Sequence, residues 1–365
     1  MNKISSKILL LIISFFSLEF LFHFAYLYKN NSFMWQRGDD ILVYNPFYFY
    51  KYKPYIINQM HGYPDKLGTD QYGFIYNFDI DRTIDEKNIN IFLMGGSTVE
   101  GRGSSSNSKT IPSLLESCLK EKYRQKINVI NSGYSGYTVL QQINFYNYYI
   151  KENFKKSVNF IIFFDGFNDA YYTITNKGIG IEGVNHHIYR SYFKDKQTLK
   201  FKLNSFFSNF SGTYLSVSKI FINQNNKNKI SLHKDKISDN TKNLSKKIDE
   251  FKLSLNKENI GFVHIIQPYL SSSNKKITSK EQILINNYLK RMKLNQKEYF
   301  NHLDNFFNKY IFSNNNSLDY SKIFINNKNN LYYDTVHYND HGNKIISEKI
   351  CNDFPLIFEL ESYKG

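Results

Sequence analysis

Apolar positions along this chain fall into three patterns. The first is a nearly continuous run, ILLLIISFFSLEFLFHFAYLY at residues 8–28, interrupted by Glu19 and His23. As a helix rising about 1.5 Å per residue it reaches roughly 30 Å, enough to cross a bilayer's hydrocarbon core. The second pattern is a set of short unbroken runs: INIFLM (89–94), INVIN (127–131), VNFIIFF (158–164) and GFVHIIQP (261–268). Runs of that length predict strands buried on both faces. The third has helical period. In TIPSLLESCLKEKYRQK, Ile111, Leu114, Leu115, Cys118 and Leu119 share one stripe, with Thr110 as the cap and Pro112 in the first turn.

Further helices are predicted from Thr138 to about Glu152, near 241–258, near 279–300 and after residue 340, with a last short strand within 317–326. The order β-α-β-α-β implies a parallel sheet with right-handed crossovers. The rhythm stops at residues 170–250, a long insertion after a strand's carboxyl end, of the kind that caps or shapes a substrate site. The chain therefore divides into an anchor (1–29), an aromatic stalk or wrap (30–87) containing Pro46, Pro54 and Pro64, an α/β domain (88–355) and a short tail (356–365).

Lys3 and Lys7 precede the apolar run, and no A-x-A cleavage site follows it. It reads as a signal anchor, with a cleaved signal peptide as the alternative. Glu19 is awkward in hydrocarbon. The charge asymmetry across the span is thin, and on balance it leaves the body outside the cytoplasm. Composition adds less. The net charge of +15 could draw the protein to anionic membranes or acidic glycans. Lys, Asn, Ile, Tyr and Phe are nevertheless all inflated together, as in A/T-rich coding. No dense Arg patch points to nucleic acid. Cys118 and Cys351 lack metal spacing and lie at apolar helical positions, where a buried free thiol is the ordinary state; export would permit a disulfide.

In an open parallel sheet, ligands bind outside the carboxyl ends of the strands. Three strand ends carry Gly-containing polar loops: Gly95-Gly96-Ser97, the Asn131–Gly136 loop NSGYSG, and Gly166-Phe167-Asn168-Asp169. The first is no phosphate loop, because no Lys follows Gly101 or Gly103 in the Walker position and Gly101-Arg102-Gly103 lacks its third glycine. It is no G-x-S-x-G elbow either, since Val99 takes the last glycine position. A serine at a strand end remains, and a serine needs a base to become a nucleophile. DTVH supplies His337 as that base and Asp334 to orient it. His264, His341 and the pair His186-His187 read instead as surface-loop histidines. The N–H groups of Ser97 and Gly136 and the amide of Asn168 are suited to an oxyanion, although Asn168 could equally close its own turn.

Together the blocks GGST, NSGYSGY, GFND and DTVHYNDHGN resemble the SGNH hydrolases, or GDSL esterase/lipase superfamily, in order and spacing over residues 88–352. The resemblance implies a flavodoxin-like three-layer α/β/α sandwich with a central parallel sheet, here preceded by an N-terminal transmembrane helix. It implies Ser97 as nucleophile, Asp334 and His337 as acid and base, and Ser97, Gly136 and Asn168 as the oxyanion hole, with no metal or organic cofactor. Gly96 stands where GDSL has Asp, and Thr98 where it has Leu. The GGST form resembles a bacterial branch whose members often carry a membrane anchor. The expected activity is hydrolysis of O-acyl esters, including O-acetyl, on envelope or exported carbohydrate, at the outer face of the bacterial cytoplasmic membrane. The alternatives are O-acyl transfer to a glycan with a multi-span membrane partner, and a non-catalytic binding module.

Overall fold

The computed structural model describes residues 3–30, 41–56, 67–175, 198–214, 232, 234–270, 275–314 and 317–359. The chain forms two compact units, Met1–Asp40 with Ile188–Lys229, and Ile41–His187 with Ile230–Gly365.

In the first unit, α1 (Lys3–Asn30) contains the stretch Ser6–Tyr28, long and apolar enough to cross a membrane. A further helix of the unit is Leu199–Phe210, within the long insertion.

The second unit opens with an antiparallel hairpin, β1 (Leu42–Asn45) and β2 (Phe49–Tyr52). Its central sheet contains β3 (Ile89–Gly95), β4 (Ile127–Gly133), β5 (Phe160–Asp165), β6 (Gly261–Ile266) and β7 (Leu318–Asp319). The strands lie in the order β4-β3-β5-β6-β7, every pair parallel. Numbered within the sheet this is 2-1-3-4-5, the doubly wound order of flavodoxin-like folds. Helices flank it in a three-layer α/β/α arrangement. The unbroken apolar runs have the burial they predict: all of β5 and β6 is buried. The strand order reverses between β3 and β5, the pair whose carboxyl ends lead into Ser97 and Asn168.

The first flanking helix in the domain after the Ser97 turn, Ile111–Tyr123, begins where its signals place it. Thr110 caps it by accepting from Ser113 N at 3.4 Å, and Ile111, Leu115 and Leu119 are wholly buried. The helix after β4 starts at a Thr138–Gln141 capping box. It runs through Val139–Phe145, a π turn at Tyr146–Ile150, and Lys151–Phe154. The helix of the insertion that leads into β6 is Ile237–Asn256.

Three expectations need correction. The single helix expected near 279–300 is two, Ser279–Met292 and Gln296–Ser313, separated where Lys293 turns left-handed at φ 54° and Asn295 caps the second. The usual stop signal is missing, because a lysine takes the place glycine usually holds, and the only local mark of the break is the start signal Asn295 with Glu298 three residues on. The cysteines are not free thiols: Cys118 and Cys351 form a disulfide across 233 residues, joining the Ile111–Tyr123 helix to the final helix Asp340–Glu359. His264 is no surface residue. It is buried in β6, where Nε2 meets Asp165 Oδ1 at 2.9 Å and Nδ1 meets Ser317 Oγ at 2.7 Å. His341 is exposed, and His186-His187 lie outside the described residues.

Candidate active site

Four loops meet at the carboxyl end of the sheet: those after β3, β4 and β5, and the loop that carries Asp334 and His337. β3 ends at Gly95, and the chain turns at Gly96 into the short helix Ser97–Glu100, placing Ser97 on its first turn. Gly96 has ordinary extended dihedrals, so its glycine identity is required by space. A Cβ there would overlap Asn168 Nδ2. The turn thus brings the two side chains' loops close enough to share one site.

Ser97 Oγ lies 2.6 Å from His337 Nε2, and His337 Nδ1 lies 2.7 Å from Asp334 Oδ2. A carboxylate can only accept, so Nδ1 carries the proton and Nε2 is left to accept from the serine hydroxyl. The loop is wound tightly around this relay. Asp334 Oδ1 accepts from Val336 N at 2.8 Å and His337 N at 2.9 Å, while Tyr333 N donates to His337 O at 2.8 Å. Burial works to raise the Asp334 carboxyl, but the electrostatic pairing with His337 and the hydrogen bonds from His337 and Val336 outweigh it and hold the group well below the usual carboxylate range.

Across the cleft, Gly136 sits at φ +78°, a conformation costly for other residues. Tyr172 OH donates to its carbonyl at 3.2 Å. Neither Gly136 N nor Ser97 N has a hydrogen-bond partner among the described residues. Asn168 Nδ2 donates to Tyr137 O at 2.8 Å, which uses one of its two amide protons. Asp169, next along, accepts from Val139 N and so ties this loop to the following helix. Its carboxyl is pushed well above the usual range by burial and by Asp165.

Ser97, Gly136, Asn168, Asp334 and His337 all line one cleft of about 540 Å³. Among the described residues, no group of three or more His, Cys, Asp or Glu side chains could hold a metal ion. No protein-family model matches the chain, and no curated protein matches it. Solved structures do. An acetyl xylan esterase is 18% identical, with a TM-score of 0.38, over 72% of this chain and 98% of its own. A lipolytic protein of the G-D-S-L family from Desulfitobacterium hafniense is 12% identical, TM-score 0.36, over 73% and 99%. A two-domain esterase active on acetylated mannans is 12% identical, TM-score 0.37, over 76% of this chain and 52% of its own. These neighbours are esterases and GDSL-type hydrolases. Likeness at this distance bears on neither substrate nor mechanism, which must come from the site.

Much of the cleft's wall was not among the residues picked out by motif. Tyr171 and Tyr172 come from the helix Phe167–Thr175, and Tyr288 and Arg291 from Ser279–Met292. Arg102, five residues past Ser97, also lines it. None of these has a sequence signal of its own. Their helical positions become lining positions only once the crossovers are wound.

Proposed function

We propose that the protein is a serine hydrolase acting on O-acyl esters of carbohydrate, tethered to a membrane by α1 with its catalytic unit on the outer side. The observation that carries this reading is the continuous relay Ser97–His337–Asp334, in one cleft with Ser97 and Gly136, whose N–H groups have no partner among the described residues. An isolated Ser–His contact would be weak. A serine, an oriented base and convergent oxyanion donors together are what acyl transfer requires.

In this mechanism Ser97 Oγ attacks the ester carbonyl carbon as His337 Nε2 takes the hydroxyl proton. Asp334 fixes the imidazole tautomer and offsets the charge that develops on it. The tetrahedral oxyanion is met by Ser97 N–H, Gly136 N–H and the second amide proton of Asn168. When the intermediate collapses, the ester C–O bond breaks and His337 returns its proton to the departing sugar hydroxyl. Water then attacks the acyl-serine by the same route, releasing the carboxylic acid and restoring Ser97. The flat faces of Phe167, Tyr171, Tyr172 and Tyr288 suit a sugar ring better than a flexible chain.

Replacing Ser97 with Ala should lower turnover of a chromogenic acetate ester by about a million-fold, to the level that binding and oxyanion donors sustain alone. It should also abolish labelling by a fluorophosphonate probe. A Ser97→Ala variant that still hydrolyses the ester at the wild-type rate refutes the reading.

A further inference from the structure

Arginine is scarce in this chain: 6 of the 47 basic residues are Arg. Two of those six, Arg102 and Arg291, line the catalytic cleft. Among the described residues neither forms an ion pair with a carboxylate, whereas Arg82 is buried against Asp70. Arg291 lies over the Tyr288 ring, 5.9 Å from its centroid. Among the described residues the one carboxylate that lines the cleft, Asp334, is occupied by His337. The site therefore has an excess of positive charge and two planar forks whose geometry matches an oxyanion.

From this, and resting on the hydrolase reading above, we infer that the natural substrate is an O-acylated anionic sugar whose carboxylate or phosphate is held by Arg102 and Arg291. Neutral acetylated xylans and mannans would then be poorer substrates. The test compares kcat/KM on three acetylated substrates: a neutral xylo-oligosaccharide, an oligouronate and a sugar phosphate. The expected result is at least a tenfold preference for one anionic class, which identifies the anion. The preference should fall about tenfold in Arg102→Gln or Arg291→Gln and return in part with Lys. It should also weaken as salt is raised. Equal kcat/KM on all three substrates, or a preference that survives both Gln substitutions, overturns the inference. A Ser97→Ala enzyme that remained active would instead sink the underlying hydrolase reading.

A separate observation concerns the first unit. The two ionisable residues that interrupt the apolar run, Glu19 and His23, are one helical turn apart and therefore share a face. Both are engaged by the same short segment. Glu19 accepts from Ser211 Oγ at 2.7 Å, Gly212 N at 2.7 Å and Thr213 N at 3.3 Å, and His23 Nε2 meets Phe210 O at 3.0 Å. The helix ending there exposes Leu199, Leu203, Phe206, Phe207 and Phe210. Glu19 lies nine residues from Tyr28, roughly 14 Å along the helix, near the middle of a hydrocarbon core. A segment bonded to it at that depth must also be inside the bilayer.

We propose that α1 is retained as an anchor and that residues 199–213 form a second, re-entrant element embedded beside it, with the exposed Phe and Leu side chains in lipid. The test uses the full chain in phosphatidylcholine–phosphatidylglycerol vesicles. The single Trp35 is changed to Phe and a probe introduced as Phe207→Trp. Lipids brominated on the acyl chains should quench this probe, while a Leu253→Trp control in the other unit stays unquenched. Adding Glu19→Leu should reduce the quenching. An unquenched Trp at 207 overturns the proposal, whether water-like, as expected of a solvent-exposed face, or apolar in its emission, as expected if a second copy or a partner protein covers that face. So does recovery of a chain cleaved before residue 30.

Discussion

Replacing Gly96 with Ala tests how the site is assembled. The backbone at 96, φ −84° and ψ −153°, is open to any residue, so alanine meets no dihedral penalty. Its Cβ would meet Asn168 Nδ2 below the 3.0 Å that real Cβ contacts respect. The amide must withdraw by roughly 1 Å to reach an ordinary nonbonded separation. Its bond to Tyr137 O, now 2.8 Å, would then stretch or break. Losing one oxyanion donor costs about 100- to 1000-fold in kcat, roughly 3–4 kcal/mol of transition-state stabilisation. Local overpacking costs about 1–3 kcal/mol of folding stability, and a shifting side-chain terminus lies toward the low end.

The assay is kcat on a chromogenic acetate ester, with urea unfolding followed in parallel. Gly96→Ala should lose about 100-fold in kcat while remaining cooperatively folded. Because the loss acts through Asn168, Gly96→Ala combined with Asn168→Ala should be scarcely worse than Asn168→Ala alone. Two results refute the reasoning. One is a Gly96→Ala enzyme within about threefold of wild type. The other is a double variant in which the two losses multiply, which would leave Asn168 out of the path from Gly96 to the oxyanion.

Asp334→Asn should lower kcat by about 10⁴-fold, since an amide no longer enforces the Nδ1–H tautomer of His337; pre-steady-state acylation rates read this directly. The depressed Asp334 carboxyl also makes a prediction about stability. A folded-state value below the unfolded one, about 3.9, stabilises fully above that pH and is lost as pH falls through the folded value. The stability gap between wild type and Asp334→Asn should therefore be constant near neutrality and close below about pH 4; a gap that closes above pH 6 counts against the assignment. For the disulfide, closing a loop of 233 residues corresponds to roughly 5 kcal/mol of lost denatured-state entropy. Dithiothreitol should lower the urea midpoint of the wild type and leave a Cys118→Ser/Cys351→Ser double variant unchanged; equal sensitivity in both would remove the bond from the account.

The strands were legible because burial on both faces leaves an unbroken apolar run, which no neighbouring element has to complete. Three of the four loops that line the candidate site were legible for a related reason. Ser97, Gly136 and Asn168 each follow such a run, so locating the strand ends located the loops. What stayed hidden depends on packing partners distant in sequence. The Cys118–Cys351 bond needs two helices 233 residues apart to lie side by side. The break at Lys293 carries no glycine to announce it. His264 satisfies its ring through Asp165 on one side and Ser317 on the other, and neither partner is visible from GFVHIIQP. Glu19, awkward as a lone charge in an apolar span, makes sense only with Ser211 and Gly212 present.

The abundance of tyrosine, which composition alone assigns to coding bias, has a structural use around the active site. The hairpin β1–β2 is laced to the catalytic loops by buried hydroxyls. Tyr50 OH donates to Ser135 O, beside Gly136, and Tyr52 OH donates to Glu100 on the nucleophile helix. In return, Tyr137 OH donates to Tyr48 O and Tyr50 O, and Tyr134 OH to Gly73 O. Two of the four site loops are therefore braced from outside the sheet by side chains that are apolar in the middle and hydrogen-bonding at the tip. Phenylalanine could fill the same space, but it would leave those carbonyls and Glu100 short of donors in a buried setting. A drift toward Tyr in composition thus supplied residues that can fill a core and still hold polar loops in register, and the oxyanion turn at Gly136 lies between two of them.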